Sequence, residues 1–332
     1  VHVPTADIYV TYRCNMRCRH CFVGSALDRE TDLPRDALIG FLRTAWSDWS
    51  TREISLLGGE PTLYPDIDLA IRAGREIGFQ VRVVSNGGPA LLRMMGRHDT
   101  TDFGIAVSVD AASPDRHDAI RRPGSLRSAL RCVAAAREQG RPVSAILSVG
   151  RHNLDQAVAT LRLLGGLGVD HVNVHYVTDR GFASAEMLVG VPEWLRLRDE
   201  IAATPGLPPV RFEGTFQPAG RPLVCAAEQE SMLMLFPDLR VYSCSMYLGL
   251  PHGNAFRWSG RALVRNARFD ARYGSPVPGV RHCPASRFVN ASLPRSAESV
   301  GRTVGCIFDK ELLNAGPAGS TVASRTTDRR EL

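Results

Sequence analysis

Through residue 177 the chain alternates short apolar runs with longer stretches of helical periodicity. Runs near 7–11, 53–57, 80–84, 103–109, 143–149 and 171–177 have the length and β-branched content of buried strands. Apolar positions three and four apart predict helices over 34–49, 66–77, 89–97, 126–139 and 154–167. Strands that each lead into a helix predict an α/β fold with a parallel sheet. In the sixth run, alternation puts His171, Asn173 and His175 on one face. His175 is therefore a candidate substrate contact, beside the plainer reading as a satisfied core histidine. A further helical pattern over 192–203 ends at Pro205-Gly206-Leu207-Pro208-Pro209, the clearest boundary in the chain. Beyond it, Met232 to Phe236 and Leu239 to Tyr242 flank Pro237-Asp238 as a β-hairpin. Residues 316–332, with few apolar positions, predict a flexible or surface-draped tail. The expected domains are 1–205, 206–315 and the tail.

Composition narrows the class. The 332 residues suffice for one large core and a smaller appendage. There is no apolar run of membrane-spanning length and no signal-peptide pattern in Val1 to Arg13, so no membrane association and a cytoplasmic location are expected. The net charge of +6 comes almost entirely from arginine, Lys310 being the only lysine. With no dense basic run, a nucleic-acid partner is not expected. Eight cysteines without an export signal point to metal or catalysis rather than disulfides.

Three of those cysteines read C-x3-C-x2-C: Cys14, Cys18 and Cys21, on the loop leaving the first strand. One short loop thus offers three thiolates and not four. Zinc is the alternative occupant, with His20 or a distant cysteine as fourth ligand. Adjacent His20 and Cys21 chelate one ion poorly, and the paired knuckles of structural zinc sites are missing.

The spacing resembles that of radical S-adenosylmethionine (radical SAM) enzymes, with His20 at the position the superfamily gives to an aromatic residue. Gly58-Gly59-Glu60-Pro61, after the second strand, resembles the superfamily's GGEP turn, and about one helix's worth of chain separates it from Cys21. Two glycines there allow a close backbone approach. Ser85-Asn86-Gly87 is similar to the third-strand ending near the ribose. Ser108-Val109-Asp110, followed by Asp115, His117 and Arg121, is similar to the fourth-strand segment, and Ser148 to a fifth-strand cofactor contact.

The resemblance implies a partial (βα)6 TIM-type barrel, with these residues gathered at the C-terminal ends of its strands. It further implies a 4Fe-4S cluster on Cys14, Cys18 and Cys21, with S-adenosyl-L-methionine chelating the free iron. A one-electron reductant such as flavodoxin or ferredoxin would reduce the cluster, and a 5′-deoxyadenosyl radical would result. His20, Gly58, Gly59, Glu60, Ser85, Asn86, Ser108, Asp110 and Ser148 are the implied cofactor-binding residues.

After the boundary, Cys225, Cys244, Cys283 and Cys306 accompany the hairpin, which resembles the twitch or SPASM extension of the same enzymes. The resemblance implies a small C-terminal β-hairpin/α domain carrying at most one auxiliary 4Fe-4S cluster on these four thiolates. Their irregular spacing leaves room for one to be a free hydrogen donor, Cys244 and Cys283 being the candidates. Cys132, in a helix among alanine and valine, reads as a small buried hydrophobe.

The function implied is abstraction of a hydrogen atom from a polar small molecule, a sugar or aminoglycoside in antibiotic biosynthesis. Epimerisation with a cysteine donor is favoured over dehydrogenation through the auxiliary cluster. Asp110, Glu60, His175 and Glu213 could meet substrate hydroxyl or amino groups, against solvation as the default for carboxylates. A rival is modification of a ribosomal peptide. Such maturases often carry a leader-binding domain ahead of the barrel, and 13 residues before Cys14 are too few for one. A non-catalytic zinc or iron–sulfur module would leave the Gly58 to Pro61 turn and the regular alternation without a purpose.

Overall fold

The computed structural model describes residues 3–270, 283 and 301–315. The tail over 316–332 lies outside the described residues, so the expectation for it does too.

Seven parallel strands follow in chain order: β1 (Thr5–Thr11), β2 (Glu53–Gly58), β3 (Gln80–Ser85), β4 (Gly104–Ser108), β5 (Val143–Val149), β6 (Val172–Tyr176) and β7 (Val210–Glu213). The connecting helices are α1 (Arg35–Ser47), α2 (Ile67–Ile77), α3 (Pro89–Met95), α4 (Pro114–Ile120), α5 (Ser125–Glu138), α6 (Ala157–Gly166) and α7 (Val191–Ala203). All six expected strands are present, and the sixth is extended by a seventh. Helix α4 is an addition that apolar periodicity did not announce. It is one short segment, opened by Pro114 at a position where a missing N–H costs nothing. The expected helix over 154–167 starts with a 3-10 turn, Leu154–Gln156, before α6.

Strand alternation explains the layering. Ile8, Val10, Ile54, Leu56, Val81, Val83, Ile105, Val107, Ala145, Leu147, Val172 and Val174 point outward into the helical layer and are buried in one continuous core. Each fully buried aliphatic side chain contributes about 1.5–3 kcal/mol, so this outer seam dominates stability. The intervening positions face inward and are largely polar.

The sheet does not stop at the expected boundary, which falls in the turn between α7 and β7. The expected hairpin forms from β9 (Met232–Leu235) and β10 (Arg240–Tyr242), and β9 pairs in parallel with β1. Beyond β10 come β11 (Phe256–Trp258) and β12 (Leu263–Arg265), both antiparallel. At the opposite edge β14 (Lys310–Leu313) pairs antiparallel with β7. The strand order is β12-β11-β10-β9-β1-β2-β3-β4-β5-β6-β7-β14, an open, partial TIM-type barrel. A separate two-stranded sheet joins β8 (Phe216–Pro218) to β13 (Arg302–Val304). The C-terminal segment thus supplies strands to both edges of the core sheet.

Candidate active site

A cavity of about 460 Å³ opens at the C-terminal ends of the strands. Cys14, Cys18, His20 and Cys21 form one wall, with Gly58, Gly59, Ser85, Asn86, Ser108 and Ser148 beside them. The cysteine loop and the glycine turn are joined through backbone: Gly59 N donates to Thr11 O at 2.9 Å and Glu60 N to Arg13 O at 2.8 Å. A Cβ on Gly59 would lie 2.3 Å from Arg13 O, and one on Gly58 2.3 Å from Thr11 O. The close approach that demands glycine is therefore to the end of β1.

Two residues expected to meet the cofactor do not line the cavity. The Glu60 carboxylate accepts from Thr62 N (3.2 Å), Thr62 Oγ1 (2.7 Å), Ser85 Oγ (2.8 Å) and Asn86 N (2.8 Å). It ties the second-strand turn to the third, through three bonds to Oε1 and one to Oε2. Asp110 is fully buried: Oδ1 accepts from Ser148 N at 3.1 Å and Oδ2 from the Arg121 guanidinium. Burial would raise its carboxyl, but Arg121 and His20 hold it well below the usual range. Asn86 is shared, since its Nδ2 donates to Asn15 Oδ1 at 2.8 Å while the residue lines the cavity.

His20, at the family's aromatic position, stacks on His152 with ring centroids 5.9 Å apart. Burial pushes it down to about 4 against the pull of Asp110, so it is a neutral imidazole at pH 7. Burial likewise pushes the Cys14 thiol up to about 12 and Cys18 to about 11. Both thiols are therefore protonated at pH 7 in the metal-free chain, and a metal cluster bound there would have to displace those protons.

The rest of the cavity wall is built from inward positions of the strands themselves. Asp7 on β1, Ser55 on β2, Arg82 on β3, Asn173 and His175 on β6, Glu213 on β7 and Lys310 on β14 all line it. His175 is thus where alternation put it, pushed well down by burial and then by Lys310. Glu213 is buried and accepts from Thr215 Oγ1 (2.9 Å), Tyr176 N (3.3 Å) and Lys310 Nζ (3.4 Å). Asp7 hydrogen-bonds Ser55, and burial raises it to about 6. Asp7, Arg82 and Lys310 were missed as site residues. The available signals were a charge inside the apolar runs of β1 and β3, and a lone lysine in an arginine-rich chain.

The C-terminal cysteines assemble elsewhere. Cys225, Cys244, Cys283 and Cys306 face one narrow apolar void with Leu223, Tyr247, Ile307 and Phe308. Burial, then the neighbouring Cys283, Cys306 and Cys225 thiols, drives Cys244 well up. Four sulfurs around one dry space suit four-thiolate ligation of a cluster. Cys244 and Cys283, the expected hydrogen-donor candidates, line this void and are not among the described residues that line the large cavity. Ser245 and Met246, following Cys244, do line the cavity, and Ile307 and Phe308 line both spaces. Cys132 is fully buried, as expected, with its Sγ donating to Gly87 O at 3.2 Å.

The Radical SAM superfamily profile matches residues 8–175, half of the chain. The chain belongs to the radical SAM superfamily. That family uses a 4Fe-4S cluster and S-adenosyl-L-methionine, and Cys14, Cys18 and Cys21 are the residues that would hold the cluster here. An S-adenosylmethionine-dependent nucleotide dehydratase from a Thermoplasmatales archaeon (strain ISO4-H5) is 31% identical over 45% of this chain and 54% of its own length. A PqqA peptide cyclase from Ruegeria pomeroyi is 25% identical over 97% of this chain and 87% of its own. Against the dehydratase, and a GTP 3′,8-cyclase of Helicobacter pylori at 57%, the chain spans little more than half the relative's length. In fold it resembles Streptococcus suis SuiB bound to precursor peptide SuiA, with a TM-score of 0.65 at 14% identity over 86% of this chain and 71% of that one. Native anSMEcpe with bound AdoMet gives 0.59 at 12% identity, over 76% of this chain and 77% of that one. Among the described residues no helix is long and apolar enough to cross a membrane.

Proposed function

We propose that the chain is a radical SAM tailoring enzyme that oxidises a carbon of a polar substrate, a peptide segment foremost. The observation that carries this reading is the shared partition: Ile307 and Phe308 line both the substrate cavity and the void holding Cys225, Cys244, Cys283 and Cys306. When bound, S-adenosyl-L-methionine on the first cluster supplies hydrogen abstraction, and an auxiliary cluster on the four C-terminal cysteines supplies an electron acceptor. One layer of side chains would separate that acceptor from the substrate. The chain's own residues do the rest. Arg82, Asn173, His175 and Lys310 orient the substrate by hydrogen bonds. Asp7, raised to about 6, has the proton affinity to take the proton that a hydroxyl, amide or amine loses near neutral pH. The apolar partition keeps water from the cysteine void. External electrons come from a flavodoxin or ferredoxin.

We favour oxidation over the epimerisation expected from cysteine spacing, since no C-terminal thiol is among the described residues lining the cavity. The near full-length likeness to a PqqA peptide cyclase supports a peptide substrate. A sugar or aminoglycoside remains the second reading, supported by the density of polar groups on the cavity wall. The test is anaerobic turnover of the reconstituted enzyme in deuterium oxide with a random peptide library and an aminoglycoside panel. Product lighter by two hydrogens, appearing with 5′-deoxyadenosine, is expected. Product of unchanged composition carrying one solvent deuterium would establish epimerisation instead. Replacing Cys14, Cys18 and Cys21 with Ala must abolish 5′-deoxyadenosine release.

A further inference from the structure

The network behind the cysteine loop is more elaborate than a cluster site needs for ligation alone. Arg121, 8% exposed, sits at the C-terminal end of α4 with its guanidinium divided between two partners. Nε donates to Asp110 Oδ2, and Nη1 points at Cys18 Sγ from 3.9 Å. Cys18 is one of the three thiols assigned to the first cluster. Each neighbour of Arg121 is held in turn. Asp110 N donates to His117 Nδ1 at 3.1 Å, and Asp110 O accepts from Asn153 Nδ2 at 2.7 Å. Ser148 N on Oδ1 and His20 Nε2 3.5 Å from Oδ2 contact the carboxylate at both oxygens. The cysteine loop is pinned to the same helix end, because Arg19 N donates to Ile120 O at 2.9 Å, one residue before Arg121.

We propose that Arg121, aimed by Asp110 as a positioning residue, donates a charge-assisted hydrogen bond to the Cys18 thiolate and thereby raises the potential at which the first cluster accepts its electron. The inference rests on the cluster assignment of Cys14, Cys18 and Cys21. Added negative charge on a reduced cluster spreads onto its thiolate sulfurs, so a buried cation donating to one of them favours the reduced form. The effect is strong where no water competes. Arginine suits the task because its planar fork reaches two acceptors in different directions and stays charged. A lysine in its place would have one compact head to divide between Asp110 and Cys18.

The experiment is an EPR-monitored redox titration of the reconstituted full chain, comparing wild type with Arg121→Gln, Arg121→Lys and Asp110→Asn. The first cluster is recognised as the signal that changes when S-adenosylmethionine is added, so both clusters are read in one sample. We expect Arg121→Gln to disfavour reduction of that cluster by at least tenfold, about 59 mV for one electron, leaving the other signal in place. Arg121→Lys should fall between, and Asp110→Asn should shift in the same direction as Arg121→Gln. If Arg121→Gln fails to hold iron, the Arg121→Lys and Asp110→Asn shifts decide. Wild-type potentials in all variants that retain the cluster would overturn the proposal. A wild type with no signal responsive to S-adenosylmethionine would instead overturn the cluster assignment beneath it.

Discussion

Asp7 offers the most direct test of the cavity electrostatics. It lies on the inward face of β1, hydrogen-bonded to Ser55 and near Arg82, and burial raises it from an ordinary 3.8 to about 6. In the unfolded chain the same carboxyl ionises two pH units earlier, so the folded state holds the extra proton between about pH 4 and 6. Below pH 4 both states are protonated and Asp7 costs nothing. Above pH 6 both are ionised, and the folded state carries a buried charge. At about 1.36 kcal/mol per pH unit the full cost is about 3 kcal/mol. Water in the cavity screens part of it, which puts the expected value at about 1.5–3 kcal/mol. Asp7→Asn removes the charge and keeps the shape. Urea unfolding of the metal-free protein at intervals from pH 4 to pH 8 should show the variant's advantage growing from about 0.5 kcal/mol to that value, levelling off above pH 6. A stability difference independent of pH, or one that shrinks as pH rises, would refute an uphill shift at Asp7.

Glu60→Ala should destabilise the protein by about 3–5 kcal/mol, because four donors, two buried and two partly buried, lose their acceptor together. Glu60→Gln should cost about 1.5–3 kcal/mol, since an amide NH2 then faces at least one donor; denaturant midpoints measure both. Gly59→Ala places a Cβ 2.3 Å from Arg13 O, so iron bound after reconstitution should fall by about one four-iron cluster while the C-terminal site still loads. Lys310→Met removes the cation beside Glu213, and the expected loss at pH 7 is about 1–3 kcal/mol. The loss should narrow in acid as Glu213 protonates, visible in unfolding curves at pH 4 and pH 7.

What was legible in the chain was local. Outward-facing Ile, Leu and Val at every second position carried the parallel strands, and the cysteine triplet and glycine turn each depend on a few neighbouring residues. A strand or a ligand loop is specified by contacts close in sequence, so spacing suffices to find it. Long-range pairing decided the remainder. Lys310 reaches the cavity because β14 pairs with β7, nearly a hundred residues earlier, and no local pattern encodes that register. Cys225, Cys244, Cys283 and Cys306 share a void although about eighty residues separate the first from the last, and no local spacing encodes that meeting. Glu60 and Asp110 have motif positions that suggest ligands, yet neighbouring turns and Arg121 consume their carboxylates. Periodicity therefore determined the strand–helix alternation, and the superfamily chemistry was legible through the resemblance of two local motifs. The tertiary structure decided which charges face the substrate and which sulfurs face each other, because burial and partnership exist only once distant strands lie side by side.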